Sequence, residues 1–336
     1  MNSTAAAFAD RVTHKSSPSD EFQSSPEAAR AGIVECVDEL DKKIMAELAK
    51  NCRVTYQELS RRYGISANAV RRRVLNLEET GEIAGYYVSL SIGMTGSSQI
   101  FGFLTSDGSR DEVEMIDEMG AHPGIAAASA YSNGTYAFVG HYATTQELHD
   151  LSSYLRKIKG VQSAEIHTII TPSGQAMELS PLHLRILKAL LHEPRLSIVE
   201  VAARSGLTAR RVRRILGQLE ESGAVQFRAL LELGADTSIP FIARIRWDER
   251  KTTYTPIIDW LHQKYPLGFW QPFISASEPI VFALFAAEGL TEVNEISREI
   301  RRQPHIRSVS TIISIYHKYY TSARIEELRE LIESSE

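Results

Sequence analysis

Residues 40–83, LDKKIMAELAKNCRVTYQELSRRYGISANAVRRRVLNLEETGEI, return as residues 182–225, LHLRILKALLHEPRLSIVEVAARSGLTARRVRRILGQLEESGAV, without a gap. Leu48 and Leu190, Arg53 and Arg195, Gly64 and Gly206, Arg71 and Arg213, Arg72 and Arg214, and Gly81 and Gly223 are among the identical pairs. Self-similarity on this scale marks a duplicated structural unit. The segments that follow match more weakly, so a complete head-plus-body unit is read as present twice.

Each copy opens with apolar residues one helical turn apart, Leu40, Ile44 and Leu48 or Leu182, Ile186 and Leu190, the pattern of an amphipathic helix. Asp38 is placed to cap the first such helix, and Ser180-Pro181 to start the second with Ser at N-cap and Pro at N1. Thr55 with Glu58, and Ser197 with Glu200, are capping boxes that open a second helix. Gly64 and Gly206 end it, because the turn there needs a left-handed residue. Ser66 and Thr208 then cap a third helix running to Gly81 or Gly223. A short helix, a Gly turn and a second helix make a helix-turn-helix. The apolar residues after the last Gly (Ile83, Tyr86, Tyr87, Val88; Val225, Phe227, Leu230, Leu231) suit a wing strand.

On the third helix, Ala67, Val70, Val74 and Leu77, or Ala209, Val212, Leu216 and Leu219, form a core stripe. At about 100° per residue the opposite face carries Asn68 and Arg72, or Arg210 and Arg214, with Arg71 and Arg213 on its flank. Position 73 lies beside the core, and its counterpart is Ile215. Arg, Asn and Ser/Thr suit base edges and phosphates in a major groove. The expected DNA-binding set is therefore Ser66, Asn68, Arg71, Arg72, Thr208, Arg210, Arg211, Arg213 and Arg214. A solvated basic face accounts for one such helix; two helices keeping arginines on the same face argue for a polyanionic partner, double-stranded DNA.

The formal net charge of −5 over 336 residues opposes that reading until its distribution is examined. Segment 40–83 holds nine Lys/Arg against six Asp/Glu, and segment 182–225 eight against four. Residues 1–39 hold three against seven, and residues 322–336 two against five. The heads are cationic and the remainder acidic, and local charge governs contact with phosphate.

Behind each head the order is βαββαβ. In copy one, strands are read at 99–105, 125–131, 136–142 and 161–170, with helices at 111–119 and 145–157. In copy two, strands are read at 241–247, 269–276, 280–286 and 306–316, with helices at 256–265 and 291–302. This is the ferredoxin-like split βαβ, with helices on one sheet face and the other face bare. The tandem copy is the nearest cover for that bare face. The expected class is thus α+β: two winged helix-turn-helix domains (36–90 and 178–232), each followed by a ferredoxin-like domain (99–172 and 238–320), forming a pseudo-dimer in one chain. Residues 1–35, rich in Ser, Ala and Pro, read as a disordered acidic tail, 92–98 as a linker, and 321–336 as a C-terminal amphipathic helix.

This arrangement resembles the Lrp/AsnC, or feast/famine, family of transcriptional regulators. The resemblance rests on the two quoted heads and on GIAAASAYSNGTYAFVGHY with LRKIKGVQSAEIHTII. It implies a transcription regulator of paired subunits, with an amino-acid-like effector held near the hairpin between the second and third strands. The corresponding residues are Ser132, Asn133, Gly134 and Thr135, and Ser275, Ala276 and Ser277. Family hairpins commonly contain a Gly and an Asp, and neither hairpin here keeps both. Homo-oligomers of pseudo-dimers, a cytoplasmic and nucleoid-associated location, and no membrane partner complete the expectation.

No cofactor or metal is expected, and the chain reads as no enzyme. Cys36 and Cys52 form no CxxC pattern. No nucleotide-binding glycine loop or HExxH motif occurs. His141, His149 and Asp150 read as surface side chains. Trp247, Tyr254, Trp260, Tyr265, Phe269, Trp270 and Phe273 read as packing residues rather than a planar ligand pocket. The alternative is a siroheme-decarboxylase-like tetrapyrrole enzyme, which shares the plan of head plus βαββαβ in two related halves but has vestigial heads.

Overall fold

The computed structural model describes residues 37–335 except 173, 175, 233, 236 and 237. The expected acidic tail and Cys36 lie outside the described residues. Copy one runs α1 (Glu39–Lys50), α2 (Tyr56–Tyr63), α3 (Ala67–Glu79), β1 (Ile83–Leu90), α4 (Ile92–Thr95), β2 (Ser98–Ser106), α5 (Glu112–Gly120), β3 (Ile125–Tyr131), β4 (Thr135–Tyr142), α6 (Thr145–Lys157) and β5 (Val161–Ile169). Copy two runs α7 (Pro181–Leu190), α8 (Ile198–Ser205), α9 (Ala209–Ser222), β6 (Val225–Leu231), β7 (Ile239–Trp247), α10 (Thr255–Lys264), β8 (Phe269–Ile274), β9 (Ile280–Ala287), α11 (Leu290–Arg301) and β10 (Ile306–Tyr319), and α12 (Ala323–Glu333) follows.

The helix boundaries follow from local chemistry. Asp38, Thr55, Ser66, Ser180, Ser197 and Thr208 accept hydrogen bonds from the backbone N–H three residues on. Glu58 and Glu200 complete their capping boxes. Gly64 and Gly206 end α2 and α8 in the left-handed region, at φ 70° and 65°. The presumed linker 92–98 contains the single turn of α4.

The heads do not stand apart. Instead of a wing within each head, β1 and β6 pair antiparallel with each other, so one ribbon is shared between the copies. Cys52 N–H donates to Phe227 O, and Ser91 N–H to Ala224 O. Arg53 donates to the carbonyls of Pro194 and Leu196, and its repeat counterpart Arg195 donates to the carbonyl of Cys52. Arg195 also lies over the rings of Tyr56 and Tyr86. The duplicated arginines thus tie each head to the other, and burial pushes the Cys52 thiol between them up to about 12. One apolar core spans both heads and takes in Leu328 and Ile332 of α12.

Each body domain has the ferredoxin-like strand order, and the eight strands run β5-β2-β4-β3-β10-β7-β9-β8. The two sheets face each other across Phe101, Phe103, Tyr131, Phe273 and Phe282, all buried. Phe101 stacks on Phe273 with centroids 4.4 Å apart and lies 5.0 Å from Phe282. Each such ring, leaving water on folding, stabilises by roughly 1.5–3 kcal/mol. Helices α5 and α6 cover the outer face of one sheet, and α10 and α11 that of the other. The tandem partner therefore supplies the missing cover.

Candidate nucleic-acid interface

Helices α3 and α9 bury the stripe the sequence marks. Val70, Val74 and Leu77, and Val212, Leu216 and Leu219, are at most 3% exposed. Asn68, Arg71, Arg72, Arg210, Arg211, Arg213 and Arg214 lie on the exposed side. Among the described residues, no carboxylate forms an ion pair with any of these six arginines. Ser66 and Thr208 are exposed caps whose hydroxyls accept from Ala69 and Arg211 N–H. Arg73 differs: it bridges Asp38 and Asp41 at 2.7 and 2.8 Å, fastening α3 to the start of α1. Burial works to raise the Asp38 carboxyl, but hydrogen bonds from Asp41 N–H and Arg73 hold it below its ordinary value. In copy two the same register carries Ile215, buried in the core. Both heads can therefore offer free guanidinium groups and open helix N-termini to a polyanion.

The hairpin residues are placed quite differently. Ser132, Asn133 and Gly134 form an exposed turn, with Gly134 at φ 72° and Asn133 Oδ1 accepting from Thr135 N–H. Ser132 N–H donates to Ile313 O of copy two. Ser275 is buried and joins a network: its Oγ lies 3.0 Å from His167 Nδ1, while His167 Nε2 lies 2.7 Å from Glu165. Ala276 N–H donates to Thr168 O, and Ser277 N–H to Ser275 Oγ. Both hairpins thus touch the opposite copy, the first through the Ser132 backbone N–H and the second through Ser275 and Ala276.

Glu165, His167 and Glu278 bring three potential metal-ligating atoms within 4.8 Å of one another. Arg244 grips the Glu165 carboxylate at 2.6 and 2.9 Å, and Arg246 holds Glu278 at 2.9 Å. These arginine contacts make the cluster part of an ion-pair network between the copies.

His141 overturns its sequence reading. It is 6% exposed, and neither ring nitrogen has a hydrogen-bond partner, whereas His149 is exposed. The alternation of β4 was the available signal, since it points residues 137, 139 and 141 to one face. Of the copy-two aromatics, Trp247 and Phe269 are buried in the copy-two core, Phe273 is buried between the sheets, and Trp270 rests against the head core.

Residues 37–78 match the family model of an AsnC-type helix-turn-helix domain, and residues 179–226 that of a winged helix-turn-helix DNA-binding domain. An uncharacterised HTH-type transcriptional regulator of Pyrococcus horikoshii is 40% identical over 81 residues, which is 24% of this chain. The matched region spans about half the length (47%) of that relative. A proline dehydrogenase transcriptional activator of Rhodobacter capsulatus is 28% identical over 150 residues, covering 44% of this chain and 94% of its own. The siroheme decarboxylase NirDL, in complex with an iron-uroporphyrin III analogue, has the same fold over 89% of this chain and 100% of its own, with a TM-score of 0.55 at 16% identity. That last match corrects the reading of the chain as no enzyme, because an enzyme has this architecture along its entire length. The chain thus carries two helix-turn-helix domains, the first of the AsnC type, each followed by a βαββαβ domain, and it is similar in sequence to HTH-type transcriptional regulators.

Proposed function

We propose that this chain is a sequence-specific transcription regulator that contacts double-stranded DNA through α3 and α9. The observation carrying this reading is the pair of recognition-helix faces with six exposed arginines and no carboxylate partner among the described residues. A structural basic face is normally laced with Asp or Glu, as Arg62 is by Glu47 and Arg204 by Glu193. Asn68, Arg71, Arg72, Arg210, Arg213 and Arg214 are assigned to groove contact, with Ser66, Thr208 and Arg211 at the helix starts near phosphate. Copy two has Arg210 where copy one has Asn68, so the operator should have unlike half-sites. A cytoplasmic, nucleoid-associated protein that assembles further from pseudo-dimers fits this role.

Binding-site selection from random DNA, then gel shifts with Arg72→Ala, Arg214→Ala and the double variant, tests the proposal. Each single change should cost about 1–3 kcal/mol where the arginine reads a base, and less at a phosphate. Affinity should fall steeply with salt as counterions are released. Undiminished binding by the double variant, or a perfectly symmetric consensus, refutes it.

A second reading, a siroheme-decarboxylase-like enzyme, is favoured by the whole-length fold match to NirDL. Its test is incubation of the purified chain with siroheme: a stable coloured complex and release of carbon dioxide support it, and a colourless protein removes it.

A further inference from the structure

A cavity of about 240 Å³ lies between the two sheets, directly beneath the β1–β6 ribbon. Its inner wall is apolar and aromatic, with Phe101, Tyr131 and Phe273. Its outer end is polar and cationic: Arg228 on β6, Arg324 at the start of α12, His141 on β4 and His317 on β10. Among the described residues no Asp or Glu lines it. Outside the lining, Glu232 lies 2.9 Å from His317 Nε2. Two guanidinium groups facing a partly enclosed space without a lining carboxylate are electrostatically unbalanced.

The polar groups are also incompletely satisfied. Both His141 ring nitrogens, Arg228 Nε and Arg324 Nε are buried without a hydrogen-bond partner. Arg324 reaches only the carbonyl of Leu90 at 3.2 Å and Gln226 Oε1 at 3.5 Å. Buried donors left unmade are costly, and these four nitrogens belong to three residues that line one cavity. Arg53, also buried, by contrast holds two carbonyls and a carboxylate.

We propose that this cavity binds a small organic acid, its carboxylate held by Arg228, Arg324 and His141 and its apolar or aromatic body lying against Phe101, Tyr131 and Phe273. Guanidinium groups suit this task because they offer planar, paired donors to a carboxylate. With no lining carboxylate to receive an ammonium group, the cavity favours a simple or 2-oxo acid over the corresponding amino acid. The volume falls below the roughly 300–1,000 Å³ of pockets for drug-sized ligands, so the occupant is smaller than these and far smaller than a tetrapyrrole. Arg228 pairs across the ribbon with Tyr87, another lining residue, so the bound acid would touch the strands that continue from both recognition helices. Burial and the nearby Arg324 charge push His141 down to about 3, so it stands neutral at pH 7 and can donate one N–H to the acid.

The full chain, without DNA, is titrated calorimetrically at pH 7 with phenylpyruvate, 4-methyl-2-oxopentanoate and benzoate, and in parallel with phenylalanine and phenethylamine. At least one acid should bind once per chain, phenylalanine more weakly than phenylpyruvate, and phenethylamine not at all. Arg324→Gln and Arg228→Gln should each weaken the acid by about ten- to a hundredfold, as loss of a charge-assisted hydrogen bond predicts. In case a variant folds poorly, the unmodified chain carries a second readout: the His141 imidazole nitrogen signals should move on addition of the acid. Failure of all three acids to bind, binding unchanged in both variants, an unmoved His141 signal in the saturated chain, or a preference for phenylalanine overturns the proposal. So does a tetrapyrrole seated in this cavity. DNA binding is not used as a readout, so these results stand whichever function the heads perform.

Discussion

The two body sheets meet at two edges that duplication alone would have made alike, and the two edges differ. At one, β10 runs for 14 residues: Ile306–Ile313 pair with β7 of its own copy, and Ser314–Tyr319 with β3 of copy one. The crossing is reinforced by Lys318 on Asp117 and by Tyr320, whose hydroxyl donates to Ile116 O and whose ring lies over Gly120. At the other edge, β5 stops at Ile169 after nine residues. Among the described residues the copies there share a single bridge, Ile169 with Ser275, and two backbone hydrogen bonds, Ile170 N–H to Ile274 O and Ala276 N–H to Thr168 O. The weaker edge is fastened instead by side chains, through Arg244, Glu165, His167 and Ser275. A repeat can thus close on itself with one backbone ladder and one polar clasp, because its last strand is free to run on while its first copy must turn back to begin the second.

The largest test removes a ring from the core between the two sheets. Phe282 is fully buried and touches Phe101, Phe103, His167 and Arg244. Phe282→Ala should cost about 3–5 kcal/mol in a denaturant titration. A loss below 1 kcal/mol would mean the sheets do not depend on facing each other.

Next comes the ladder edge. A Cβ on Gly120 would fall 2.0–2.5 Å from ring atoms of Tyr320. Gly120→Ala should therefore displace Tyr320 and destabilise by about 1–3 kcal/mol, as overpacking does. An unchanged melting temperature would show that the crossing of β10 needs no anchor there.

Hydrogen exchange then compares the edges directly. The amides of Ile170 and Ala276 should exchange about tenfold or more faster than that of Tyr320, which donates to Ala126 O at the ladder edge. Equal protection would erase the distinction.

The smallest effect is that of acid. Burial works to raise the Glu165 carboxyl, but hydrogen bonds from His167 and Arg244 hold it below its ordinary value. A carboxyl depressed in the folded state contributes stability above its unfolded value, near 4.5, and loses that contribution as pH falls through the lower folded value. The clasp should loosen first between about pH 5 and pH 3, seen as faster exchange at Ile170 and Ala276. Because the Glu165 side chain is 38% exposed, screening limits the stabilisation to less than about 1 kcal/mol. Glu165→Gln should remove the pH response, and a response that persists in it would assign the effect elsewhere.

The heads were legible because their determinants are local. Caps, capping boxes and left-handed glycines act within one or two turns, so Thr55 with Glu58 and Ser197 with Glu200 could be placed from residue type and spacing. Repetition did the rest, separating the arginines kept on one face from Arg73, whose counterpart is Ile215. Strand order was legible through alternation, and so was the bare face each sheet had to bury. The length of β10 was not: its reading stopped at Tyr316, whereas pairing with copy one carries it to Tyr319. The early end of β5 has a sequence cause in Pro172, which lacks a ladder donor and disfavours continued pairing.

Sequence alone determined the duplicated unit, the helix-turn-helix pair, the faces of α3 and α9, and the βαββαβ order, because all of these follow from periodicity and short-range hydrogen bonding. Tertiary structure alone decided that the wing strands pair with each other, that Arg53 and Arg195 clasp opposite heads, and that α12 joins the head core. It also decided that His141, read from the sequence as a surface histidine, lines a cavity shared with Arg228 and Arg324. Those three residues lie on β4, β6 and α12, and no spacing along the chain encodes their meeting. Only the closing of two sheets beneath a shared ribbon brings them together, at the free-energy cost of burying charges and polar nitrogens with too few partners.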